Sequence, residues 1–451
     1  MDNPGWRKNL VSVFLYIGTT LLIVNQRIGY TDNVGLNPLA LALRVDVWFV
    51  TALFFGLIFT PGIVLWPTGD DRLPKTVLVL MPLAVLSSGV LASVVSEISC
   101  GKGYDLLGAF DFAKSIICIG LGILIFNLSI TNREFSSKLI YLIIFSSFLN
   151  VLAGVFTSVT SINNIAGFNA ETAGEIDVGL GFVGYGNRFQ GLGSNPNILM
   201  TQALISLSFL VPEICQSFSK ARILRAIFLL TYSASLIIII LWTGVRAALF
   251  LMPVICLITI WLRKKPGLKN QIRSIAVIVA MLIILFGVWS FAAMLGLTET
   301  MLERVTGAED GRLNIWSYYS GLLFQNPLGF GYGFESIVDT HFGIVEWQRL
   351  PPHNSLLQAG MYGGFSAVII SMILLGKIVR FFGRYRRLIK LQVLPTQLEG
   401  AYIAWWVVVV NSLFGGLLSA DFNFSILTAI LLALASREWV KARRQVVDAN
   451  V

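Results

Sequence analysis

Residues 223–262 read ILRAIFLLTYSASLIIIILWTGVRAALFLMPVICLITIWL. Two apolar runs stand here almost back to back. Each approaches the ~20 residues that a helix needs to cross a bilayer. Only Trp242-Thr243-Gly244-Val245-Arg246-Ala247-Ala248 separates them. The same kind of run recurs along the chain, and spans are expected near 8–25, 46–66, 75–96, 107–130, 137–160, 196–216, 223–243, 246–262, 274–297, 354–376, 398–418 and 423–440. The runs are continuous rather than alternating, which excludes a β-barrel. The 451 residues are 56% hydrophobic and 13% charged, where soluble domains carry roughly twice that charge. The fold class is therefore all-α: a polytopic membrane protein of about twelve transmembrane helices, read as a single membrane-embedded domain over 1–451.

The basic residues orient the bundle. With the N-terminus inside, 24 of the 33 Lys and Arg fall on the inner connections and 8 on the outer ones, while Lys114 lies within a span. This is the positive-inside pattern, and it puts both termini in the cytoplasm. The net charge of +9 then reads as attraction to anionic lipid headgroups. Nucleic acid is not an expected partner, because each basic cluster is short and adjoins a span. The first span is read as retained rather than as a removed signal. Cys100, Cys118, Cys215 and Cys256 are too scattered for a disulfide framework or a zinc site, and only Cys100 is expected clearly outside a span.

Two connections are long, 161–195 and 298–353, and both are expected on the outer side. Loops of such length usually carry function. The first ends in Gly184-Tyr185-Gly186-Asn187-Arg188-Phe189-Gln190-Gly191-Leu192-Gly193-Ser194-Asn195-Pro196-Asn197. Asn-Pro signals a turn and a helix start, and the free N–H groups of that helix end favour an anion. The glycines alone read as a flexible loop before an ordinary capped helix, and Arg188 amid them reads as an anion contact. Arg246 stands near membrane depth, where an arginine either serves function or snorkels to the interface.

The second long connection holds Asp310-Gly311-Arg312-Leu313-Asn314-Ile315-Trp316, read as an amphipathic helix with Arg312 and Trp316 on one face. Asn326-Pro327-Leu328-Gly329-Phe330-Gly331-Tyr332-Gly333-Phe334 follows, a turn series whose glycines would let backbone approach a ligand closely. Its aromatics, with Trp316, Tyr318, Tyr319 and Trp347, read as an interface belt or as platforms for sugar rings. The connection ends at Pro351-Pro352-His353-Asn354-Ser355-Leu356-Leu357-Gln358. His353, one of two histidines, is a group that exchanges protons near neutral pH, placed where a polar loop enters an apolar helix. The other, His341, reads as a solvated loop residue. No D-x-D metal motif occurs, so guanidinium groups are the expected partners for a diphosphate.

Arg188–Asn197, Gly244–Ala248, Gly311–Trp316, Pro327–Gly331 and His353–Gly364 together resemble the O-antigen polymerase and O-antigen ligase superfamily. The resemblance spans 188–364, and its last two pieces are the most specific. Val245 departs from it, standing where a small polar residue is common. The resemblance implies a GT-C-like glycosyltransferase of lipopolysaccharide biosynthesis in the bacterial inner membrane. Its active site would be periplasmic, and it would need neither a metal nor another cofactor. The implied substrates are a glycan on undecaprenyl diphosphate and an acceptor glycan or lipid A-core. Membrane lipids surround it, and a chain-length regulator protein is an admissible partner. By matched position Arg188, Arg246 and Arg312 would hold the diphosphate, and His353 would act as, or orient, the base on the acceptor hydroxyl. Asn197, Trp316, Tyr332 and Asn354 would support them.

The expected reaction is polymerisation of repeat units, with inversion at the anomeric carbon. Ligation to lipid A-core is the alternative. A lipid-linked oligosaccharide transporter ranks third, because few charges lie within spans: Asp111, Lys114 and Glu213.

Overall fold

A computed structural model describes residues 5–24, 44–68, 72–101, 103–160, 164–165, 168–169, 172–173, 188–189, 196–243, 245, 247–263, 312–334, 352, 354–388, 395–413 and 418–448. Regular structure among them is helical apart from four two-residue strands. The helices are α1 (Gly5–Val24), α2 (Val45–Phe59), α3 (Pro61–Leu65), α4 (Arg72–Lys75), α5 (Met81–Cys100), α6 (Leu106–Thr131), α7 (Arg133–Thr160), α8 (Pro196–Ser219), α9 (Ile223–Trp242), α10 (Ala247–Arg263), α11 (Arg312–Gln325), α12 (Ser355–Leu388), α13 (Thr396–Ser412) and α14 (Phe422–Asp448). Seven helices among the described residues are long and apolar enough to cross a membrane, and α2 is a shorter apolar helix. The protein is an all-α polytopic membrane protein. The expected span at 274–297, Trp347, Arg246 and both histidines lie outside the described residues.

Local chemistry sets the helix ends. Pro196 opens α8, where its missing N–H costs nothing. Gly101, at φ 68°, closes α5 in the left-handed conformation that a glycine adopts freely. A π-helical turn at Thr76–Leu80 joins α4 to α5. Cys100, expected outside a span, is the last residue of α5. The helix runs on because its stop signal, Gly101, comes one residue later.

The chain groups into two compact units. The first holds Met1–Phe55, Asn132–Ala308 and Ile389–Val408. Within it α1 packs on α7, and α8 packs on α7, α9 and α10. Polar side chains bond helix to helix: Ser147 and Ser206 hydroxyls lie 2.6 Å apart, Tyr232 Oη donates to the Ile144 carbonyl at 2.7 Å, and Asn150 Nδ2 donates to the Ile23 carbonyl at 2.7 Å. The strands β1 (Asn164–Ile165) and β2 (Phe168–Asn169) pair antiparallel, as do β3 (Thr172–Ala173) and β4 (Arg188–Phe189).

The second unit holds Gly56–Thr131, Glu309–Leu388 and Val409–Val451. Here α5 packs along α12, α6 along α14, and α11 against α12. The core joins Val85 and Leu86 of α5, Ile315, Tyr319, Leu322 and Leu323 of α11, and Ala359, Met361 and Tyr362 of α12. The buried positions of α11 recur at i, i+4, i+7 and i+8, as expected for an amphipathic helix. Outward-facing side chains are apolar too, such as Leu91, Ile98, Ile369 and Met372, which suits a lipid surround.

Sequence continuity predicts one unbroken span at 354–376. Instead α12 is two helices. Gly363 (φ −126°, ψ 20°) and Gly364 (φ 66°, ψ −163°) interrupt it, leaving segments 355–362 and 365–388. The Gly364 conformation is one that essentially only glycine adopts.

Candidate functional site

The segment after α11 forms a tightly bonded wedge. Gly329 N–H donates to the Asn326 carbonyl, closing a turn around Pro327, and Asn326 Nδ2 donates to the Gly329 carbonyl at 2.8 Å. Phe330 N–H donates to the Met361 carbonyl at 2.7 Å, and Phe365 N–H, just past the break in α12, donates to the Pro327 carbonyl at 3.0 Å. Ser96 Oγ of α5 donates to the Phe330 carbonyl, and Ser93 Oγ accepts from Tyr332 N–H. The two ends of α12 that the break exposes thus find their partners in the turn.

The glycines of the turn bring backbone close to other backbone of the protein. A Cβ at Gly331 (φ 76°) would overlap the main chain of Ser93, and one at Gly364 would overlap the Pro327 carbonyl. The interface belt fails for Tyr319 and Tyr332, which are core residues at 2% and 1% exposure. Tyr332 stacks on Tyr362 at 4.8 Å between centroids and on Tyr104 at 6.3 Å, with Phe112 edge-on at 5.2 Å. Burial raises the Tyr332 phenol above its ordinary value, and negative charge on Asp111 adds to the shift.

The same unit holds the head of α12. Asn354 Oδ1 accepts from Leu356 N–H and Leu357 N–H at 3.0 and 3.2 Å, an N-cap of the usual kind. Trp316 Nε1 donates to the Pro352 carbonyl at 3.0 Å, and Ser355 Oγ donates to the Ser412 carbonyl at 2.7 Å. These bonds hold the residues on either side of position 353. His353 itself lies outside the described residues, as does Arg246. Arg312 is the first residue of α11.

In the other unit, Arg188 pairs through its backbone with Ala173, and β4 lies beside α9, the helix that leads toward Arg246. Asn197 is the second residue of α8, and its carbonyl accepts from Thr201 Oγ1. Of the residues proposed from sequence, Trp316, Tyr332 and Asn354 thus belong to one unit, while Arg188 and Asn197 belong to the other.

One group of residues has no place in the site read from sequence. Asp111 on α6 accepts from Tyr362 Oη at 2.6 Å and from Gln358 Nε2 at 3.4 Å. Lys114, one turn further along α6, sits over the Phe422 ring at 5.3 Å. Its charge acts on both Asp111 and Asp421. Asp421 caps α14 through Asn423 N–H and Phe424 N–H; burial raises its carboxyl above the ordinary range, and Lys114 works against that rise. The sequence signal for this group was a carboxylate and an amine within one apolar span. In the first unit Glu213 pairs with Arg225 at 2.7 Å and accepts from Thr396 Oγ1 at 2.6 Å. The three intraspan charges that a transporter reading leans on are thus each engaged by protein groups.

Residues 231–372 match the family model for O-antigen ligase. Over that segment the chain is similar to the O-antigen ligase family. The segment takes in Arg246, Arg312, the Pro327–Gly333 turn, His353 and the glycine break of α12, and it leaves Arg188 outside. No curated protein matches the chain. The matched segment contains the two packed features described above, the wedge and the capped half-helix.

Proposed function

We propose that this protein is a periplasm-facing membrane glycosyltransferase of the GT-C kind. It moves a glycan from undecaprenyl diphosphate to an acceptor sugar hydroxyl and so polymerises repeat units. The observation that supports it is the family match over residues 231–372, which contains the Asn354-capped half-helix and the turn bonded to its far end.

In this reading the acceptor oxygen attacks the anomeric carbon. The bond from that carbon to the diphosphate oxygen breaks, and the electron pair leaves on undecaprenyl diphosphate. The hydroxyl proton passes to His353, whose unperturbed pKa of about 6.5 suits the task. Arg188, Arg246 and Arg312 hold the diphosphate as its charge develops. Direct displacement inverts the anomeric configuration. A second reading, ligation to lipid A-core, is favoured by the description of the matched family as O-antigen ligase.

Reconstitution in proteoliposomes with undecaprenyl-diphosphate-linked repeat units tests this. A ladder on undecaprenyl diphosphate supports polymerisation. Label appearing only on added lipid A-core moves the assignment to ligation. No transfer to either acceptor overturns the reading. His353→Ala should lower transfer by about 10²–10⁴-fold with normal membrane insertion. Product NMR showing retained configuration would remove direct displacement.

A further inference from the structure

We propose that Asp111 is a positioning residue that clamps the half-helix 355–362, the segment that follows the Pro351–Asn354 motif in the chain. The proposal rests on the transferase reading above for its catalytic consequence, though the clamp itself stands on geometry.

Segment 355–362 is cut off from 365–388 by Gly363 and Gly364. An intact helix would transmit its rigidity across that point through i to i−4 hydrogen bonds. Here the Phe365 N–H is spent on the Pro327 carbonyl and the Met361 carbonyl on Phe330 N–H. The half-helix must be held by its own anchors. At its head these are the Trp316 bond to the Pro352 carbonyl and the Ser355 bond to the Ser412 carbonyl. Along its body Asp111 is a side-chain anchor, which takes Gln358 Nε2 and Tyr362 Oη on the same oxygen, Oδ2. Gln358 and Tyr362 are four apart, one helical turn, so a single carboxylate oxygen bridges two successive turns of one face.

Two observations mark this as more than an ordinary buried bond. A carboxylate in an apolar span is expensive unless it is matched, and Lys114 on the next turn of α6 supplies the opposing charge. Gln358 is only 7% exposed, yet its Oε1 finds no hydrogen-bond partner. That orphan acceptor has a cost, and the amide is held there nonetheless by the carboxylate. The Tyr362 ring is fixed in turn by its stack on Tyr332 and its edge contact with Phe334 at 5.1 Å. The Tyr362 hydroxyl lies 2.6 Å from the carboxyl oxygen, so the clamp adds a short side-chain hydrogen bond to the packing of the half-helix. A displacement of about 1 Å at a reacting group lowers turnover by roughly a hundredfold.

The test uses the full-length protein in detergent and in proteoliposomes, with Tyr362→Phe and Asp111→Asn. Tyr362→Phe keeps the ring stack and removes only the hydroxyl, so it guards against simple misfolding. Hydrogen exchange should quicken over 355–362 and stay at the wild-type rate over 365–388. With undecaprenyl-diphosphate-linked repeat units as substrate, kcat should fall about tenfold to a hundredfold, with KM for the lipid-linked donor within about twofold. Unchanged exchange over 355–362 in both variants overturns the clamp, whatever the activity. Quickened exchange with wild-type kcat overturns the positioning role. A loss confined to KM reassigns Asp111 to donor binding and overturns the proposal. If the wild-type protein transfers nothing, the transferase reading fails, and the exchange arm alone still decides the clamp.

Discussion

Gly331 shows a glycine that close packing of two backbones requires. Its φ of 76° excludes most side chains, and a Cβ would overlap the Ser93 main chain. Gly331→Ala should cost about 1–3 kcal/mol from overpacking alone, read as a lower melting temperature in detergent. Gly321, also within the matched segment, has open space around its would-be Cβ. Gly321→Ala should be neutral or mildly stabilising, since alanine is the better helix former by up to about 1 kcal/mol. Equal effects of the two substitutions would sink the packing account. Arg246 poses a different question, that of charge against geometry. Arg246→Lys keeps the charge and loses the bidentate fork, so transfer should fall if the guanidinium holds a diphosphate. Wild-type turnover in that variant would leave simple snorkelling.

Among the elements, α12 carries the most. Its apolar continuity made it legible as one span, and its break was not. The glycine pair does not betray a break, because glycines also occur inside intact membrane helices. The partners that make the break tolerable, Pro327 and Phe330, lie some thirty residues upstream in a different element. Gly364→Ala should be strongly destabilising, about 1–3 kcal/mol for the forced backbone conformation and more for the overlap with the Pro327 carbonyl. Gly376 sits in the second half with nothing near its would-be Cβ, so Gly376→Ala is the control. Thermal unfolding of the two variants side by side checks this, and a matched pair of melting temperatures would argue for a continuous helix in the membrane. The helix at α11 was legible, because its pattern is local. The burial of Tyr332 was not, because it depends on α5, α6 and α12 meeting around it.

For the whole molecule, the alternation of basic connections predicts cytoplasmic termini and an outer face that carries 161–195 and 298–353. Reporter fusions at both ends, with a cysteine-labelling series in those connections, check this. Labelling of 298–353 from the cytoplasmic side would overturn both the topology and a periplasmic site.

What the chain's own residues settled is the class of molecule. Apolar run length reports on the bilayer, basic residues report on its two faces, and short motifs report on family. All three are carried by neighbours in the chain, so they survive without any knowledge of packing. The segment similar to the O-antigen ligase family takes in four of the five motifs and leaves Arg188–Asn197 outside. Only the folded protein could place the Pro327–Gly333 wedge against Ser93, or join Asp111 to Tyr362 across 251 positions. Such pairings are set by how three helices and a turn fill one core, and a hydrogen bond across that distance leaves no trace in local periodicity.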